Sequence, residues 1–124
     1  MKPYSVSFGG IPDKYSSWKS SSFVVVPFPI DMTTTYMSGT RNGPRAVIEA
    51  SGHMELFDEE NKIEPYRAGI FVSTEIPALT AGPLAMLKEL EKRMKAVIRA
   101  ETSFFRARSS LFDSPLASIA IMNS

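Results

Sequence analysis

Phe23-Val24-Val25-Val26-Pro27-Phe28-Pro29-Ile30-Asp31, followed after a polar loop by Gly43-Pro44-Arg45-Ala46-Val47, is the stretch whose reading decides the fold. The run Phe23 to Val26 is β-branched and aromatic, and it is continuous rather than alternating. That pattern predicts a short strand buried on both faces of a parallel sheet. Pro27 and Pro29 end it. The loop from Ile30 to Gly43 carries Asp31, Thr33-Thr34-Thr35, Tyr36 and Gly39, and it opens at the carboxyl end of the strand, where α/β proteins place their ligands. Gly43-Pro44 then supplies a small residue at the N-cap and a proline at the first helical position, where the missing N–H costs nothing. A stripe of Val47, Ala50, Met54 and Phe57 predicts a helix facing the sheet as far as about Asp58.

Working outward, Gly69-Ile70-Phe71-Val72 reads as a second short strand. Gly82-Pro83 repeats the helix-start chemistry, and Leu87, Leu90, Met94, Val97 and Ile98 form a stripe through about residue 99, with Lys88, Glu91, Lys92 and Lys95 outside it. The order strand, helix, strand, helix implies an α/β fold with a parallel sheet and right-handed crossovers. Two strands cannot cover two helices, so a further element must complete the sheet. Residues 1–22, with Gly9-Gly10 and many serines, read as an irregular arm pinned by Trp18. Residues 23–99 form the βαβα unit. From Glu101 the composition changes and no period runs through residues 100–124. This divergent tail is open to two explanations: an irregular terminal strand or helix, or a shifted reading frame.

The chain has 124 residues, 14 Lys+Arg against 13 Asp+Glu, a formal net charge of +1, no cysteine and 44% hydrophobic residues. This fits one globular domain with a real core, well short of the roughly 250 residues of a complete barrel-type enzyme. With no basic stripe and no apolar run near the ~20 residues that span a bilayer, neither nucleic acid nor membrane is an expected partner. Lacking cysteine, the chain has no disulfide or thiolate metal site, and a first segment without an apolar stretch points to the cytoplasm.

Few residues suggest chemistry of their own. His53 is the single histidine and is expected on the flank of the first helix rather than in a metal site, which needs about three converging protein ligands. Glu49 and Glu55, or Asp58 and Glu59, read as solvated helical acids. Ser20-Ser21-Ser22 has neither a base nor an oxyanion motif. Gly39-Thr40-Arg41-Asn42-Gly43-Pro44 precedes a helix and could receive an anion, but Pro44 removes a donor and the spacing matches no phosphate-binding motif. It reads as a structural turn.

The segment from Pro27 through Asp31, Tyr36, Gly39-Thr40-Arg41-Asn42-Gly43-Pro44 to Ala50-Ser51 nevertheless resembles the N-terminal signature of agmatinases in the arginase (ureohydrolase) family. The similarity runs from about Phe8-Gly9-Gly10-Ile11-Pro12 to Ile98. Met37-Ser38 stands where the family usually has Arg-Pro, Asn42 where an aromatic is common, and Glu49 where a basic residue is usual. The resemblance implies an incomplete βαβα portion of an arginase-type three-layer parallel-sheet fold. It also implies the family reaction, hydrolysis of a guanidino compound such as agmatine to urea and an amine, with water activated between two Mn²⁺ ions. The family's ligands come from Gly-Gly-x-His-Ser, Asp-Ala-His-x-Asp and Ser-x-Asp-x-Asp-x-x-Asp-Pro boxes, none of which occurs here.

The resulting expectation is a truncated ureohydrolase, inactive alone, that binds no cofactor and contains no catalytic or metal-ligating residue. Asp31, Tyr36, Gly39 and Gly43 are expected to line the substrate mouth. The rival expectation is a non-catalytic module that docks on a full-length ureohydrolase, and a homo-oligomer is the other partner foreseen. A small α/β binding domain with an accidental resemblance is a third reading.

Overall fold

The computed structural model describes residue 1 and residues 3–33, 35–109 and 118–122. Strand β1 (Phe23–Pro27) lies at the centre of a three-stranded sheet. It pairs in parallel with β2 (Ile70–Val72) on one side and with β3 (Ser118–Met122) on the other. Phe23, Val24 and Val25 stand opposite Ile70, Phe71 and Val72, and opposite Ser118, Ile119 and Ala120. β3 adds a third strand to the two read from the sequence. It lies within the tail, of which residues 110–117 and 123–124 fall outside the described residues.

Alternation along β1 sorts the core into two layers. Val24, Val26 and Phe71 pack with Phe28, Ile76, Met86 and Val97 on the side of α3 (Pro83–Ser109). On the opposite side, Val25 and Val72 pack with Ile48 of α2 (Gly43–Ser51). With one helix on each face, β1 is buried on both sides, which is why its apolar run is continuous. Pro27 is the last residue of the central strand: its carbonyl still accepts the Ile76 amide at 3.1 Å, and its missing N–H falls where the ladder ends.

Both Gly-Pro pairs start helices as expected, but the helices differ from their predicted extents. α2 stops at Ser51, not near Asp58, and Gly52 and His53 turn the chain away. Its buried face is Pro44, Ile48 and Ser51, whereas Val47, Met54 and Phe57 of the predicted stripe are exposed. α3 continues to Ser109, beyond the predicted end near residue 99. Met86 and Val97 are buried, and Leu90 and Met94 pack against them. Leu87 and Ile98 lie on the flank and are exposed.

The arm is partly ordered. It contains a 3-10 turn at Phe8–Gly10 and a short helix, α1 (Asp13–Ser16). It runs antiparallel beside the outer edge of β2, with Pro3 bridged to Ser73 and the Tyr4 amide donating to the Val72 carbonyl at 2.9 Å. Trp18 pins it as expected, its ring meeting Phe71 edge-on at 5.2 Å. Gly69 has φ +83°, and a Cβ there would lie 2.6 Å from the Ser20 carbonyl oxygen. Only glycine lets the arm cross so close to the entry of β2.

Candidate active-site rim at the end of the central strand

β1 delivers the chain through Phe28, which is buried in the core, to Asp31 at the carboxyl edge of the sheet. In an open α/β sheet this edge is the ligand side. The Asp31 side chain is only 4% exposed. Its Oδ2 accepts the Gly39 amide at 2.8 Å and Nε of Arg41 at 3.1 Å. One carboxylate therefore closes the base of a loop from both ends and projects Met32 to Ser38 as an excursion. Charge assistance makes such bonds roughly twice as strong as neutral ones.

Gly39 adopts φ +147°, a conformation that a side chain would strain. The chain then makes a 3-10 turn over Thr40–Asn42, with the Asn42 amide donating to the Gly39 carbonyl at 2.9 Å. The amide of Gly43 donates to the Thr40 carbonyl as α2 begins. At the tip, Tyr36 is 85% exposed and Met37 is 77% exposed. Met37 holds φ +49°, unusual for a residue other than glycine. Thr34 lies outside the described residues.

The four residues singled out from the sequence thus occupy one loop in different positions. Asp31 and Gly39 are joined directly, Gly43 begins the helix, and Tyr36 stands on the tip. Arg41 escaped the sequence reading, although it meets the same carboxylate. Its signal was a lone arginine in a turn, and only the folded loop brings it back to Asp31.

The metal centre that the family resemblance implies does not fit these residues. Among the described residues no three His, Cys, Asp or Glu side chains converge on a common point. The Asp31 carboxylate is turned to Gly39 and Arg41. Glu49 is paired with Arg45 at 2.7 Å, which raises the Arg45 pKa through that hydrogen bond and charge. Asp58 caps its own turn through Asn61 and Glu60. His53 follows α2 in an exposed turn rather than standing on the helix flank.

A sequence profile of the Arginase family matches residues 21–106, a span that contains β1, the loop after it, α2, β2 and most of α3. An N(1)-aminopropylagmatine ureohydrolase of Synechocystis sp. is 39% identical over 71 residues, covering 56% of this chain and 21% of that protein. An N(1)-aminopropylagmatine ureohydrolase of Thermus thermophilus is 31% identical over 65 residues, covering 52% of this chain and 22% of that protein. The chain therefore spans about a fifth of the length of the curated relatives it matches. No solved structure matches it at comparable significance. With the profile covering well over half of the chain, and with β1, β2 and the loop between β1 and α2 lying inside the matched span, this chain belongs to the arginase family.

Proposed function

We propose that this chain is the opening strand–helix portion of an arginase-family ureohydrolase, without hydrolase activity alone. Its Asp31–Gly43 loop would be one rim of the active-site mouth. The observation that carries this reading is the coincidence of the family match over residues 21–106 with a donor set of one histidine and no cysteine. The family reaction adds water across a guanidinium carbon and releases urea and an amine. The two metal ions of a complete member would supply the activated water, and this chain's own contribution is to shape the rim. Asp31 fixes the loop base, and Tyr36 and Met37 are the side chains presented at the edge.

The relatives' names point to a guanidino compound with an aliphatic amine arm as the substrate class of the complete enzyme, and to a role in polyamine metabolism. The test is urea release from agmatine and from N(1)-aminopropylagmatine with Mn²⁺ present. No urea above the protein-free blank is expected. Release that scales with protein, and survives repurification, would overturn the reading.

A second reading has its own support. On α3, Leu84 and Leu87 are 66% and 51% exposed, an apolar shoulder in the first turns of the helix that suits a non-catalytic companion docked on a full-length ureohydrolase. Stoichiometric co-elution with such an enzyme, lost in Leu87→Lys, would favour it. Separate elution would count against it.

A further inference from the structure

We propose that Asn42-Gly43, at the joint between the loop after β1 and α2, is a site of spontaneous deamidation whose rate is set by opening of the first turn of α2. Of the chain's asparagines, Asn42, Asn61 and Asn123, only Asn42 precedes a glycine. The reaction needs just that neighbour and water. The Gly43 amide nitrogen attacks Cγ of the Asn42 side chain, and the N–Cγ bond forms as the Cγ–Nδ2 bond breaks. The amide proton passes through solvent to Nδ2, which leaves as ammonia. Water then opens the five-membered imide. Cleavage of the new N–Cγ bond gives aspartate on an unchanged backbone, and cleavage of the other ring C–N bond gives isoaspartate, with one extra carbon in the main chain. Glycine favours ring closure because it has no Cβ to hinder the approach of its nitrogen.

The fold leaves the asparagine reachable but holds the nucleophile. Asn42 is exposed, and its side chain makes no capping hydrogen bond to α2. The Gly43 nitrogen is committed elsewhere: its N–H donates to the Thr40 carbonyl, and Asn42 holds the helical φ −84° and ψ −13°. Ring closure requires rotation about the Cα–C bond of Asn42 until that nitrogen faces Cγ, and the rotation breaks the bond to Thr40. Attack therefore waits for the turn to open. No side-chain cap reinforces the turn, and Pro44 has no N–H with which to add a backbone bond, so α2 opens more readily here than at its buried face. Asn61 is fixed by contrast, its Nδ2 and main-chain amide donating to Asp58 at 2.8 and 3.0 Å, and it precedes Lys62. Aspartate at position 42 would put a negative charge at the favourable end of α2, whereas the longer backbone of isoaspartate would displace Gly43 from Thr40.

The experiment incubates the whole chain at mildly alkaline pH, in native buffer and in concentrated guanidinium chloride, and follows each asparagine by peptide mapping and isoaspartate detection. Circular dichroism first establishes that the native sample is folded. In denaturant, Asn42 should convert before Asn61 and Asn123, to a mixture of both products, and Gly43→Ala should slow it several-fold. In the native chain the conversion should be slower by roughly tenfold or more, since it draws only on the open fraction of the turn. Equal rates in the two samples, conversion in denaturant that begins at Asn61 or Asn123, or a rate in denaturant unaffected by Gly43→Ala would each overturn the proposal. Amide exchange at Gly43 supplies a second measurement. Low denaturant should raise exchange and conversion together, and conversion that stays constant while exchange rises would overturn the gating by α2. These readouts involve neither urea release nor Mn²⁺, so they stand or fall apart from the proposed function.

Discussion

On the α3 face of the sheet, Val24, Val26 and Phe71 meet four further buried apolar residues, whereas on the α2 face Val25 and Val72 meet Ile48. The same strand feeds both layers, yet the layers are closed by different means. The α3 side is closed by side-chain volume, with Trp18 and Leu90 packed around the cluster. The α2 side has a smaller buried cluster with Tyr4, Phe8 and Ile70 packed around it, and it adds a buried polar link. Ser51 Oγ accepts the Gly9 amide at 2.8 Å and donates to the Ile48 carbonyl at 2.6 Å, tying the arm to the helix. A thin apolar layer can suffice where a hydrogen bond between distant segments supplies the specificity.

The largest expected effect lies on the thick side. Phe71→Ala should cost about 3–5 kcal/mol, since it empties the centre of a packed cluster and removes the ring against Trp18. Ile48→Ala should cost less, about 2–3 kcal/mol, because the thinner layer can collapse more readily. Val47→Ala, on the exposed side of the same helix, should stay within about 0.5 kcal/mol. Urea unfolding of the three variants checks the ranking. A Val47 cost equal to that of Ile48 would restore the stripe predicted from the sequence and break the comparison.

The polar link comes next. Ser51→Ala should cost about 1–3 kcal/mol by stranding the buried Gly9 amide. It should also speed exchange of that amide with solvent, whereas Phe71→Ala should affect the arm only through global unfolding. Amide exchange followed by NMR separates the two. Unchanged protection at Gly9 in the Ser51 variant would show that the link does not hold the arm.

The smallest effect concerns the turn that follows α2. The Asp58 carboxyl is held below its ordinary pKa by the Asn61 side chain, then by the amides of Asn61 and Glu60, with burial opposing them. A depressed carboxyl pKa adds stability above the unfolded value and loses it as pH falls through the folded value. The Asp58 turn should therefore stay closed through neutral pH and loosen only in strong acid, below the ordinary aspartate range. The Glu60 and Asn61 amide shifts should follow that acid-side transition. Titration at the ordinary aspartate value would mean that the cap does not form in solution.

Much of this molecule is legible in its sequence, and the misreadings share a cause. Phe23 to Val26 announced a central strand because burial on both faces removes the need for alternation. Gly43-Pro44 and Gly82-Pro83 announced helix starts because their effect is local. The α2 stripe was misjudged because Ser51, a polar residue, faces inward to meet Gly9, and no periodicity of apolar residues can register that. Asp31, Tyr36, Gly39 and Gly43 were assigned to one loop from their order alone, but the direction of the Asp31 carboxylate depends on where Arg41 comes to rest.

The sequence by itself determined the strand, the two helix starts, the polar loop after β1 and the lack of a His- and Cys-based donor set, since each follows from residue type or from neighbours within a few positions. The tertiary structure decided which helical faces are buried, that α3 continues to Ser109 and that β3 pairs with β1. It also decided that Asp31 closes its loop inward. Those outcomes depend on contacts between segments far apart in the chain, where burial and the satisfaction of polar groups override local preference.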